Sequence, residues 1–305
     1  MTQTNIIKGI LKNYQNETPA VKSNIVRLLM SGRLAGTGKL FILPVDQGFE
    51  HGPVISFSIN EQAFDPEYHI TLASEAKLSA YAAPKGMIEA ISNEARYTLP
   101  LIMKMNSGNQ LYRESNQPYQ AITATIQDAL YQGCTAVGYT IYPGSDFSLK
   151  MIAEISEQIS EAKAKGLAVI VWSYPRGGDV SKKGETALDV TCYAAHIASL
   201  IGAHIIKVKL PQDYIEKPES KKLLVAQDFT RLDRRVAYVM NSCFSGKRLV
   251  VFSGGKTKDK ESILTEIEGI KKGGGNGSIM GRNIFQRPRL QALKLLDEAL
   301  GLYMY

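Results

Sequence analysis

Short runs of apolar, often β-branched residues punctuate this chain at regular intervals, with longer stretches of mixed character between them. The runs are Lys39–Val45 (KLFILPV), Leu78–Ala83 (LSAYAA), Leu99–Met105 (LPLIMKM), Thr135–Tyr142 (TAVGYTIY), Leu167–Tyr174 (LAVIVWSY), Ala203–Leu210 (AHIIKVKL), Arg248–Gly254 (RLVVFSG) and Gly277–Arg282 (GSIMGR). They have the length of strands and are largely apolar at consecutive rather than alternate positions, the pattern of a strand buried on both faces in a parallel sheet covered by helices. The stretches between them carry helical spacing. In the clearest, Phe147–Lys165, Met151, Ile152, Ile155, Ile159 and Ala162 form one stripe, and Gly166 ends the helix. Eight βα units on about 250 residues predict an α/β protein of the TIM (β/α)8 barrel type. The barrel spans 38–305, and residues 1–37 form a short N-terminal helical extension of the same single domain. A doubly wound open sheet is the competing arrangement, but no GxGxxG follows the first run, so its dinucleotide-binding version lacks a phosphate loop.

Composition narrows the setting without changing the fold. With 305 residues, 44% hydrophobic and 21% charged, the chain is an ordinary globular one. No apolar run approaches the roughly 18 residues of a membrane span, and the start, MTQTNIIKGILKNYQ, lacks the charged-then-apolar order of a secretory signal, so a cytoplasmic location and no membrane partner are expected. Cys134, Cys192 and Cys243 lie in separate segments without CxxC spacing, and His69, His196 and His204 show no HxH or HxxxH spacing, so no metal is expected. The net charge of +7 is spread over pairs such as Lys182-Lys183, Lys221-Lys222 and Arg234-Arg235. That is the distribution of a solvated surface rather than of a nucleic-acid face, and it remains compatible with a small anionic substrate.

In a TIM barrel, chemistry belongs at the carboxyl ends of the strands. There the chain reads VDQGFEHGP (Val45–Pro53), TIYPGS (Thr140–Ser145), WSYPRGG (Trp172–Gly178), SGGKTKD (Ser253–Asp259) and GRNIFQR (Gly281–Arg287). The loops after the seventh and eighth strands commonly build a phosphate site from close-approaching backbone N–H groups, and Ser253, Gly254, Gly255, Gly281 and Arg282 suit that purpose. The sixth run places Lys207 and Lys209 two residues apart on one face with Ile205, leaving Ile206, Val208 and Leu210 on the other. Two ammonium groups on a barrel-interior face are either structural, paired or snorkelling, or chemical. A desolvated amine beside a second cation, here Lys209, has a lowered pKa and attacks carbonyls to form a Schiff base. With a phosphate site nearby and Tyr174 ending the fifth strand, the set reads as a phosphorylated ketose or triose held over an amine, with a phenol to move protons.

Taken together, VDQGFEHGP, GYTIYPGS, VWSYPRGG, IIKVKLP, SGGKTKD and GRNIFQR resemble the archaeal-type class I fructose-bisphosphate aldolases, a family also found in bacteria, over about Lys39–Arg289. The resemblance implies a metal-independent, homo-oligomeric lyase of glycolysis and gluconeogenesis that interconverts fructose 1,6-bisphosphate with dihydroxyacetone phosphate and glyceraldehyde 3-phosphate. It implies Lys207 as the Schiff-base lysine, Tyr174 as the proton-transfer residue, Trp172 lining the site and Asp46 orienting a substrate hydroxyl. It also implies Arg176 at the second phosphate, with Ser253, Gly254, Gly255, Gly281 and Arg282 at the first. Related barrels sharing the lysine and phosphate loops act on other sugar phosphates, and the complete VWSYPRGG favours the bisphosphate branch. Many relatives read DHG where this chain has Asp46-Gln47-Gly48, so Gln47 receives no catalytic role. His51 suits a substrate hydroxyl, a phosphate or loop packing, Tyr142 suits the pocket or the core, and the sequence leaves the role of Lys104 open.

Overall fold

The computed structural model describes residues 3–111, 118–255 and 258–304. Eight parallel strands close into a barrel: β1 (Leu40–Pro44), β2 (Ala80–Pro84), β3 (Leu101–Lys104), β4 (Ala136–Ile141), β5 (Ala168–Ser173), β6 (Ile205–Lys209), β7 (Leu249–Ser253) and β8 (Gly277–Ile279). Each coincides with one of the eight apolar runs, β2 extending one residue past its run to Pro84, and β1 pairs with both β2 and β8 to complete the ring. The last run is the one most shortened. β8 stops at Ile279 and Gly281 caps a four-residue helix, Arg282–Phe285, so the run's polar end belongs to the loop that faces the site. The stretch after β1 is not an open loop, as the sequence suggested, but two short helices, Gln47–His51 and Pro53–Phe57.

Strand alternation divides the core into two shells. Leu40, Ile42, Ala82, Ile102, Ile170, Trp172, Ile205, Val251 and Ile279 fill the barrel interior. Phe41, Leu43, Val169, Val171, Ile206, Val208, Val250 and Phe252 face the surrounding helices. The helix Ser148–Ala164 buries Met151, Ile155, Ile159 and Ala162 against that outer shell, as its stripe predicts, while Ile152 is only half-buried. The N-terminal extension folds as α1 (Asn5–Leu11) and α2 (Pro19–Leu29), and its Ile7, Tyr14, Val21, Ile25 and Leu28 join the interior shell. The Tyr14 hydroxyl donates to His204 O (2.7 Å) and accepts from Leu249 N (3.2 Å), tying the extension to the amino ends of β6 and β7. Water is thereby excluded from the floor of the barrel, below the site.

One glycine sets the position of an interior side chain. A Cβ on Gly138 would lie 2.0 Å from Cζ3 of Trp172, so the indole lies across β4 only because that position has no side chain. Gly138→Ala is therefore expected to displace the indole and to cost about 1–3 kcal/mol through overpacking. Trp172 is the only tryptophan, so an emission spectrum together with a urea melt checks both effects, and an unchanged spectrum would show that the strand yields instead.

Candidate active site

At the carboxyl end of the barrel, β6 presents Lys207 inward from a strand whose other face, Ile206 and Val208, is sealed by helices. The side chain is buried, with Nζ 5.2 Å from the Trp172 ring centre and 5.6 Å from that of Tyr174. Burial is the main reason the Lys207 pKa falls to about 8. The Asp46 carboxylate pulls it back up, Lys104 presses it down, and Glu50 and Arg282 add smaller effects of opposite sign. A substantial fraction of this amine is consequently neutral near physiological pH, the state in which it attacks a carbonyl.

Lys209, two residues on, is itself ion-paired. Its Nζ lies 2.9 Å from Glu185 Oε2 at the barrel mouth, and the cations that press most on Lys207 are Lys104, from β3, and then Arg282. The two-residue spacing aligned the lysines on one face, but one strand repeat and a bound carboxylate keep the second charge away from the first.

Tyr174 directly follows β5. Its hydroxyl hydrogen-bonds Ser253, at the end of β7, and burial followed by the nearby Asp46 charge holds its pKa well above 10. The phenol therefore keeps its proton throughout the neutral range. Arg176 sits two residues on, its guanidinium 3.2 Å from Glu50 Oε1 and 5.1 Å from the Tyr142 ring centre. His51, the last residue of the helix Gln47–His51, has Nε2 3.8 Å from Glu50 Oε2.

The loops after β7 and β8 are locked together. Asn283 Nδ2 donates to Gly254 O (3.2 Å), Asn283 Oδ1 accepts from Lys258 N (2.8 Å), and Arg282 Nη2 donates to Gly255 O (3.4 Å). A Cβ on Gly281 would lie 2.5 Å from Pro44 O, so glycine lets this loop close against the end of β1. Lys256 and Thr257 of the same SGGKTKD motif fall outside the described residues.

One cleft of about 90 Å³ is lined by Asp46, His51, Tyr174, Arg176, Lys207, Lys209, Ser253, Gly254, Gly255, Gly281 and Arg282. Eleven positions scattered from residue 46 to residue 282 thus share one opening, and Trp172, fully buried, supports Lys207 from beneath. A larger groove of about 660 Å³ runs along the helix Ser148–Ala164 past Tyr193 and Asp179 on the outer surface. It holds none of the lysines, the phenol or the glycine loops described above, so size does not choose the site. The remaining histidines have structural partners: His69 Nε2 meets Ala63 O, His196 Nδ1 meets Ser242 O, and His204 lies beside Glu17. All three cysteines are buried. Among the described residues no cluster of three or more His, Cys, Asp or Glu could hold a metal ion, and no helix is long and apolar enough to cross a membrane.

A family model described as DeoC/LacD family aldolase matches residues 40–287, from the first barrel strand to the loop after the last. The chain belongs to that family. Class 1 fructose-bisphosphate aldolases of Thermoproteus tenax (37% identical over 254 residues, 83% of this chain and 86% of its own) and Halobacterium salinarum (32% over 275 residues, 87% and 95%) are among its relatives. A solved archaeal fructose-1,6-bisphosphate aldolase, its catalytic lysine covalently bound to the carbinolamine intermediate of the substrate, superposes with a TM-score of 0.77 at 33% identity. That match covers 92% of this chain and 99% of the solved one.

The structure also gives partners to a residue whose role the sequence left open, and brings further residues to it. Lys104, left open above, is fully buried, and its Nζ donates to Asn106 O, to Asn106 Oδ1 (3.0 Å) and to Gln120 Oε1 (3.3 Å). Lys104 and Asn106 stand two apart in IMKMN, the same spacing that flagged Lys207 and Lys209, so that signal was readable. Gln120 and Glu185 come from stretches between strands whose sequences carry no comparable mark, whereas Asn283 sits inside the GRNIFQR motif.

Proposed function

We propose that this chain is a class I fructose-1,6-bisphosphate aldolase, cleaving its substrate reversibly to dihydroxyacetone phosphate and glyceraldehyde 3-phosphate. The observation that carries the reading is a lysine amine buried at the base of a cleft whose rim offers anion-binding groups on two sides. The neutral Lys207 amine adds to the ketose carbonyl at C2, and loss of water from the carbinolamine leaves a protonated imine. The C4 hydroxyl then gives up its proton, the C3–C4 bond breaks, and its electron pair flows into the imine to give an enamine and the free aldehyde phosphate. Protonation of the enamine at C3 and hydrolysis of the imine release dihydroxyacetone phosphate and regenerate the amine. Tyr174 faces the amine with a phenol that holds its proton, and Asp46 and Glu50 supply carboxylates on the same cleft.

Treatment with dihydroxyacetone phosphate and borohydride tests the reading. The expected result is irreversible inactivation with one mass adduct on the peptide containing Lys207. Activity that survives borohydride, or an adduct on Lys209, would sink the assignment.

The two phosphate ends are separable. Arg282, beside Gly255, suits the phosphate nearest the imine carbon, and Arg176, across the cleft, suits the other. A lost charge-assisted contact costs about 1.5–3 kcal/mol, or roughly ten- to a hundredfold in affinity. Arg282→Ala is expected to lose dihydroxyacetone phosphate binding by that factor. Arg176→Ala is expected to spare that ligand and to penalise fructose 1,6-bisphosphate relative to fructose 1-phosphate, and equal losses for both sugars in calorimetry would point to a monophosphate substrate. A cytoplasmic location, a role in glycolysis and gluconeogenesis, and a homo-oligomeric state complete the proposal, the last tested by sedimentation.

A further inference from the structure

Two buried lysines from non-adjacent strands meet on one indole. In the ring of strands, Lys104 on β3 is registered with Gly138 on β4, and Trp172 on β5 is registered with Lys207 on β6. Because Gly138 has no side chain, the Trp172 ring lies across β4, with its centre 5.9 Å from Lys104 Nζ and 5.2 Å from Lys207 Nζ. The environments of the two amines differ. Lys104 Nζ faces three oxygen acceptors, Asn106 O, Asn106 Oδ1 and Gln120 Oε1. An ammonium has three N–H donors to match, whereas a neutral amine has two and would leave one acceptor unserved. Lys207 Nζ has aromatic rings and charges for neighbours and, among the described residues, no hydrogen-bonding oxygen.

We propose that Lys104 is a positioning residue for the aldolase reaction: held as an ammonium by its three oxygen acceptors, it disfavours a second positive charge across the shared indole and keeps the Lys207 amine unprotonated. The inference rests on the aldolase reading of Lys207 and gives Lys104 the part that spacing alone offered to Lys209. Other groups around Lys207 act on it too. Asp46 and Glu50, from the stretch after β1, favour its protonation, and Arg282, after β8, opposes it. Tyr174 and Arg176 from the end of β5, Lys209 on β6 and His51 complete the ionisable lining. Burial lowers the pKa of Lys104 to about 8 as well, against the upward pull of Asp46 and Glu50, so the carboxylates and the two lysines form one coupled set in which the three oxygen acceptors favour Lys104 as the amine that keeps the proton.

The test is the pH dependence of borohydride trapping with dihydroxyacetone phosphate, in the wild-type protein and in Lys104→Met, Lys104→Arg and Asn106→Asp. Lys104→Met removes the charge at similar volume, and Asn106→Asp neutralises it in place while leaving the lysine. Both are expected to move the acid limb of the trapping rate up by about one pH unit, a roughly tenfold slower reaction at pH 7 that recovers at high pH. Lys104→Arg is expected to keep the wild-type limb. In protein without substrate, the Trp172 emission should report the same displacement as Lys207 titrates. Superimposable limbs in Lys104→Met and Asn106→Asp, with only the plateau lowered, would reduce Lys104 to a packing residue and overturn the proposal. Failure to trap any lysine in the wild-type protein would overturn the aldolase reading and this inference with it.

Discussion

Lys207→Met is expected to abolish turnover of fructose 1,6-bisphosphate, by about 10⁴-fold or more, the scale on which loss of a covalent nucleophile acts in other enzymes. No adduct should form with borohydride, because no other described lysine sits beneath the cleft with an unpaired amine. Lys209 is engaged by Glu185 and Lys104 by its three oxygens. The same substitution should stabilise the fold. A lysine whose pKa drops from 10.5 to about 8 on folding penalises the native state wherever the unfolded chain would hold the proton. That penalty is fully present below about pH 8 and disappears as the pH rises through 10.5, and it amounts to about 3 kcal/mol at neutral pH. A methionine carries no such cost in an apolar shell of Ile205, Trp172 and Val251. Loss of activity with a higher melting temperature at pH 7, and a difference that narrows toward pH 10, is therefore the combined signature. A destabilised Lys207→Met would mean that the amine contributes to packing more than its burial costs.

Tyr174→Phe is expected to lower turnover about 100-fold while leaving the imine trappable. The substitution keeps the ring beside Lys207 and removes only the hydroxyl that bonds Ser253. Because burial holds the phenol protonated, its natural step is donation to the enamine carbon, and the variant should accumulate covalent intermediate. Rapid-quench measurement with fructose 1,6-bisphosphate should then show one equivalent of aldehyde product released in a burst, followed by a stall. Full cleavage activity would pass the role to Glu50 or to Tyr142, both of which line the pocket beside Tyr174.

Much of this was legible in the chain itself, because the information is local. A strand buried on both faces is apolar at consecutive positions wherever the rest of the protein lies, so the eight runs located the eight barrel strands. Face alternation is likewise a property of a few residues, and it placed Lys207 and Lys209 inward and Ile206 and Val208 outward before any neighbour was known. The loops after the last two strands were marked by their glycines. Strand ends were less legible: the last run reaches Arg282, yet β8 stops at Ile279 and Arg282 begins a short helix. What only the tertiary structure decided is which charges act on which. Lys209 looked like the partner of Lys207 because it is two residues away, yet Glu185 claims it, and Lys104 takes its place by reaching the same indole across a strand whose glycine leaves the space open. Nothing near any of these residues in sequence predicts that arrangement. Backbone periodicity is set by neighbouring dihedrals, whereas electrostatic coupling falls with distance through space, and those distances exist only once eight strands have closed and the N-terminal helices have excluded water from the floor.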